Sequence, residues 1–151
     1  MAKIRANLRH ESTPWPFLYL APNFDGPGKV WWQDKLKQII AKFDEHTVAP
    51  SILNVAYFPY PSPRFLNCGR VPSQEYSFHL VQEAMKRECV IVRMRRRKNT
   101  WFEAVPGLET YPKLCELKNT QRPCISSGNC TDFEKVVAAI QDFRERSFRQ
   151  S

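Results

Sequence analysis

The sequence predicts an α/β fold: a three-layer sandwich with a short, mostly parallel sheet and helices on both faces. Two observations carry this expectation. Short apolar runs alternate along the chain with longer segments of helical periodicity, which is the pattern of strands joined by right-handed helical crossovers. The length, 151 residues of which 42% are hydrophobic, suits one domain with a core and is too short for two.

Residues 1–16 are polar and basic, with prolines at 14 and 16, and read as an arm preceding a single domain over 17–147 and a tail over 148–151. Phe17-Leu18-Tyr19-Leu20 reads as a short strand, and Pro22, Gly26, Pro27 and Gly28 punctuate the turn after it. From Val30 to His46, Trp31, Trp32, Leu36, Ile39, Ile40 and Phe43 recur at steps that fall on one face of a helix. The paired tryptophans read as core rather than as a ligand cage.

Ser51–Arg64, SILNVAYFPYPSPR, is the most informative stretch. Its apolar part, 51–58, reads as a strand buried on both faces, and it breaks into rings, prolines, a hydroxyl and a cation. Ser73 is expected to cap a helix over 73–88 with Phe78, Val81, Met85 and Leu80 inward. Cys89–Val92 follows as a strand and runs into the basic cluster RMRRRK. Trp101–Val105 reads as a helical turn and Leu114–Leu117 as a strand. The last helix opens on Thr131-Asp132-Phe133-Glu134, which fits a capping box, and continues through Val136, Val137, Ile140 and Phe143.

The charge narrows the partners. Lysines and arginines outnumber acids 23 to 15, a formal net charge of +8. Much of the excess lies in Arg93–Lys98 and Arg144–Arg149, and basic clusters attract polyanions. Nucleic acid, DNA in the first place, is the expected partner, with an acidic protein as the alternative. No apolar run approaches the roughly 20 residues of a membrane span, and Met1–Arg9 lacks the apolar centre of a secretory signal, so no membrane partner and a cytoplasmic location are expected. The five cysteines form no Cys-x-x-Cys pair, and the histidines lie far apart; reduced thiols, no metal and no cofactor are expected.

In a parallel sheet, ligands bind beyond the carboxyl ends of the strands. The loops 58–64, 93–99 and 118–130 are therefore expected to converge. Asn54, Tyr57, Phe58 and Tyr60 are the candidates for holding a base. Ser62, Arg64, Arg93, Arg95, Arg96, Arg97 and Lys98, with Ser126, Ser127 and Asn129 before the last helix, are the candidates for phosphates. No hydrolytic triad assembles, and there is no Gly-x-Ser-x-Gly elbow, so no catalytic residue is assigned and enzymatic activity is left open.

Taken in order, FLYL, WW at a helix start, ILNVAYFPYPS, VIVRMRRRKNTW and ISSGN before the last helix resemble the uracil-DNA glycosylase superfamily, over about Phe17 to Phe143. The resemblance implies a distant, truncated relative acting on uracil or another modified base, with Asn54 on the Asn-bearing strand and Ile125–Asn129 in the place of the last active-site loop. The departures are specific. The superfamily's first core strand, which carries its water-positioning residue, has no counterpart before Phe17, and ISSGN has no histidine. Related sequences tend to carry histidine where Pro61 stands and an acid where Ala21 stands. The resemblance therefore supplies residues for holding a base and none for activating water. The alternative is a basic protein-interaction module, an inhibitor or assembly factor, without catalytic activity.

Overall fold

The computed structural model describes residues 13, 15–58, 71–95 and 100–150. It is a mixed helix and strand architecture with a two-stranded parallel sheet. A 3₁₀ turn, Leu18–Leu20, leads into α1 (Pro27–Ser51), α2 (Gln74–Lys86), β1 (Ile91–Arg93), α3 (Thr100–Ala104), β2 (Leu114–Glu116) and α4 (Phe133–Gln150). Ile91, Val92 and Arg93 stand opposite Leu114, Cys115 and Glu116.

Two of the four expected strands form. Leu18–Leu20 is a 3₁₀ turn instead, with the amides of Leu20 and Ala21 donating to the carbonyls of Phe17 and Leu18, both at 3.0 Å. A four-residue apolar run has too little periodicity to separate the two states, and here the Phe17 ring packs edge-on to Trp32 at 4.9 Å. The run after Ser51 is likewise not a strand. Ser51 ends α1, Ile52 is extended, and residues 52–56 join no ladder, while β1 pairs with β2.

Helix α1 starts where glycine and proline place it: Gly26 takes φ 134°, which side-chain-bearing residues rarely adopt, and Pro27 occupies the first helical position. It runs on beyond the expected His46, but with a break. Asp44 adopts φ 66° and ψ 163°, ending the first helical stretch, and its Oδ1 accepts the amide of Thr47 at 2.8 Å, so it caps the second. The two other expected caps are not formed by the residues assigned to them. Ser73 makes no side-chain cap bond; fully buried Gln74 accepts the Val71 amide at 2.7 Å on Oε1 and donates from Nε2 to the Tyr57 carbonyl at 3.0 Å. Thr131 Oγ1 accepts the Glu116 amide at 3.1 Å, and α4 starts after Asp132, whose carbonyl accepts the Lys135 amide at 3.0 Å. At Thr131 a tertiary contact took the side chain that local pattern had assigned to the helix.

Two apolar clusters form. One gathers Leu36, Ile39 and Phe43 of α1, Val136, Val137 and Ile140 of α4, and Cys115 and Leu117, with Ile52, Val90, Val92 and Met94 packed against it. The other gathers Phe78 and Val81 of α2 with Val105 and Leu108, and takes Val55, Tyr57, Ile91 and Leu114. The alternation of Val90, Ile91 and Val92 between clusters, repeated by Leu114 and Cys115, is that of strands facing a cluster on each side. The arm is anchored at its end: Trp15 joins the first cluster and meets His46 edge-on at 5.5 Å. Helix α4 continues to Gln150, past the expected tail boundary. Among the described residues no helix is long and apolar enough to cross a membrane.

Candidate binding cleft

The run 52–58, β1 and the facing sides of α1, α2 and α4 enclose an open cleft of about 2720 Å³. Helices from each cluster wall it, and the unladdered run Ile52–Ala56 lies along it because no strand draws that segment onto the sheet.

Asn54, Tyr57, Phe58, Arg93 and Arg95 all line this cleft. Asn54 is exposed to it, free to meet a ligand edge with its amide. Tyr57 is committed to packing: its ring centroid lies 5.1 Å from Phe58, 5.4 Å from Phe78 and 5.1 Å from Trp101. Gln74, by holding the Tyr57 carbonyl, fixes where this aromatic group stands. Arg93 is also structural. It pairs with Glu116 across the β1–β2 ladder, its guanidinium lies 4.0 Å from the Phe102 ring centroid, and its side chain is only 11% exposed. Arg95, two residues on, is exposed.

The cleft's charge is set by which groups are already spent. Glu83 is held by Lys86 at 2.6 Å, and that hydrogen bond keeps its carboxyl below the usual range. Glu88 meets Lys113 at 3.3 Å. Arg95 and Arg149 line the cleft and make no ion pair among the described residues. The same holds for Arg87 and Arg146 and for the acids Asp142 and Glu145, so four cations stand against two carboxylates and the uncompensated charge of the cleft is positive on balance. Its mouth carries apolar and aromatic surface: Trp31 is 36% exposed, Leu53 72% and Tyr76 58%. Trp31 thus lies at an opening rather than in the core, while Trp32 packs inward.

The loop 118–130 behaves differently from expectation. Only its Ile125 lines the cleft; Ser126, Ser127 and Asn129 do not. Asn129 is a clasp: its amide nitrogen donates to the carbonyls of Asn119, Arg122 and Cys124 at 3.2, 3.3 and 2.9 Å, and its Oδ1 accepts the Asn119 amide at 2.6 Å. The Ser127 amide donates to Gln38 Oε1 at 2.7 Å, and the amides of Asn129 and Cys130 both donate to the Ser126 carbonyl. Backbone donors that would cradle a phosphate are occupied by partners within the protein. Tyr60, Ser62, Arg64, Arg96, Arg97 and Lys98 lie outside the described residues, so the structure brings together one part of the expected constellation, Asn54 to Phe58 with Arg93 and Arg95.

Sequence reasoning missed Tyr76, Leu53 and Arg149 as cleft residues. Their signal was faint: Tyr76 stands off the apolar stripe of α2, and Arg149 was counted only within a basic tail. Among the described residues no group of three or more His, Cys, Asp or Glu is placed to hold a metal ion. Comparison with protein-family models, with curated proteins and with solved structures finds no match for this chain.

Proposed function

We propose that the chain is a nucleic-acid-binding domain of the uracil-DNA glycosylase type, which receives a strand of DNA along the cleft and a single base, uracil or another modified base, beside Asn54. One observation carries the reading: the cleft is lined by an exposed Asn54 and the Tyr57–Phe58 rings and has Arg95 and Arg149 among its unpaired cations. An extruded base needs an amide edge and an aromatic wall, and its phosphates need cations. Phe58 and the exposed Tyr76 take the stacking role, since Tyr57 is held in the core. Arg93 serves by fixing the strand end that carries Arg95. With Ser126, Ser127 and Asn129 outside the cleft lining, phosphate contact falls to the arginines.

In the same reading the fold is a three-layer sandwich with β1 and β2 as its middle layer. The two clusters on opposite sides of β1 and β2 support it. In this reading the domain reads a base, and no described residue of the cleft is assigned to cleaving a glycosidic bond. The same proposal sets the domain in the cytoplasm.

Fluorescence anisotropy with single- and double-stranded oligonucleotides, with and without one uracil, at two salt concentrations, tests this directly. Salt-sensitive binding that favours the uracil strand supports the reading, and alkali-labile sites afterwards would add catalysis. No binding at low salt ends it. The second reading, a protein-interaction module, rests on the apolar mouth formed by Trp31, Leu53 and Tyr76, beside Val30 at 68% exposure. It requires DNA binding to be weak and indifferent to Asn54 and Arg95.

A further inference from the structure

Strand β1 has a ladder on one side only. The Ile91 amide donates to the Lys113 carbonyl at 3.0 Å, and Ile91 and Arg93 stand in register with Leu114 and Glu116. Backbone groups alternate across a strand, so the N–H and C=O of Val92 are directed to the opposite edge. The alternation extends on both sides, since Val90, Val92 and Met94 pack against the first cluster and Ile91 against the second. The sheet has two strands, and no described segment pairs with this outer edge. Val90–Met94 line the cleft instead, each half-buried. Leu53–Ala56, on the same cleft, make no backbone hydrogen bond among the described residues. An apolar strand with a core on each face and an open row of donors and acceptors is a template for a further strand.

We propose that this edge is a docking site for an extended, acid-flanked apolar segment of a partner protein, which adds to β1 as a third strand. The side-chain requirement follows from the two clusters. A strand laid beside Val90–Met94 meets an apolar layer on each face, so it is apolar at successive positions rather than at alternate ones. The charge requirement follows from the two ends. Arg87 precedes the run and Arg95 follows it; both are exposed, line the cleft and make no ion pair among the described residues. Arg146 and Arg149 add to them, against Asp142 and Glu145. Carboxylates on both sides of the apolar run complement this charge whichever way the strand runs. The chain's own first residues meet neither requirement, since Lys3-Ile4-Arg5-Ala6-Asn7-Leu8-Arg9 is alternating and basic. The contact uses the main chain of β1 and not the Asn54 side chain, so it goes beyond the nucleic-acid reading and is tested apart from it.

The probe is a fluorescein-labelled peptide of alternating valines and isoleucines between paired glutamates, titrated into the full chain by anisotropy while amide hydrogen exchange is followed at β1. The expected result is saturable binding and slowed exchange of the Val92 amide, which is open in the free chain. Lysines in place of the glutamates should weaken binding at least about tenfold. N-methylation of the peptide at alternate amides should do the same in one of its two registers, since two lost hydrogen bonds amount to roughly tenfold or more. Val92→Pro removes the outward N–H, leaves Ile91 and Arg93 their ladder, and should abolish binding. If that variant does not fold, the methylated peptides give the decision on the unaltered chain. No saturable binding, or equal binding by the parent and both methylated peptides, overturns the proposal. So does a Val92 amide as protected in the free chain as that of Ile91, which would assign the edge to the chain's own first residues or to a second copy. A uracil-containing strand that binds where no peptide does ends this proposal and leaves the nucleic-acid reading intact.

Discussion

The ring of Tyr19 lies against the backbone of Gly28 so closely that a β-carbon at position 28 would stand 2.6 Å from Cε1 and 2.9 Å from Cδ1. The ring has little room to withdraw, with Phe17 at 5.6 Å, Phe24 at 5.5 Å and Trp32 at 6.3 Å between centroids. The turn that precedes α1 is thereby pinned to the helix, together with Lys29 Nζ, which donates to the carbonyls of Ala21 and Pro22.

Gly28→Ala is therefore expected to destabilise the protein by about 1–3 kcal/mol through overpacking, although alanine is ordinarily the better helix former. Urea unfolding of this variant, alone and combined with Tyr19→Ala, checks the cause. The alanine at 28 should lose most of its penalty once the ring is gone.

Asp44 combines a strained backbone with a cap. Asp44→Ala should lower stability by about 1 kcal/mol, with Asp44→Asn retaining most of it and Asp44→Gly falling between, since glycine loses the cap but relieves the positive φ. The order of the three melting temperatures is the measurement. An alanine variant as stable as asparagine would remove the capping role.

Asn129→Asp should be worse than Asn129→Ala. The aspartate keeps the acceptor for Asn119 but turns an oxygen toward three carbonyls that now receive hydrogen bonds, whereas alanine leaves them unpaired at a cost of about 1–3 kcal/mol. Thermal unfolding gives the ranking. DNA affinity measured well below the melting range should be unchanged in the alanine variant.

For the cleft, Arg95→Ala with Arg149→Ala should weaken binding to all sequences and flatten the log–log salt slope by roughly 1–2, the expectation for one or two lost phosphate contacts. Asn54→Ala should instead weaken the uracil strand and leave the slope alone. A double arginine variant with the original slope would place phosphate contact elsewhere.

The helices were legible in the sequence because their apolar spacing survives folding unchanged: Leu36, Ile39 and Phe43 are buried on α1, Phe78 and Val81 on α2, and Val136, Val137 and Ile140 on α4. Strands were harder, because a strand exists only with a partner. Val92 has one in Cys115, whereas Ile52–Ala56, more apolar than many strands, has none. The residues expected along the cleft divided in the same way. Asn54 and Phe58 do line it, as the break in composition around them suggested. The inward turn of Asn129 could not, since three of its four partners are backbone carbonyls that no side-chain pattern encodes.

The loop 118–130 is held against α1 by residues far away in the chain: the Ile125 amide donates to the Lys35 carbonyl at 2.9 Å, and Gln38 grips Ser127 across a separation of 89 residues. Such contacts reward the chain only after a long closure has been made. The loop is thus a late event in folding, and weakening it by Gln38→Ala should speed unfolding while leaving the refolding rate nearly untouched. The residues that hold this edge of the protein shut act on how long the native state lasts, and hardly at all on how quickly it is reached.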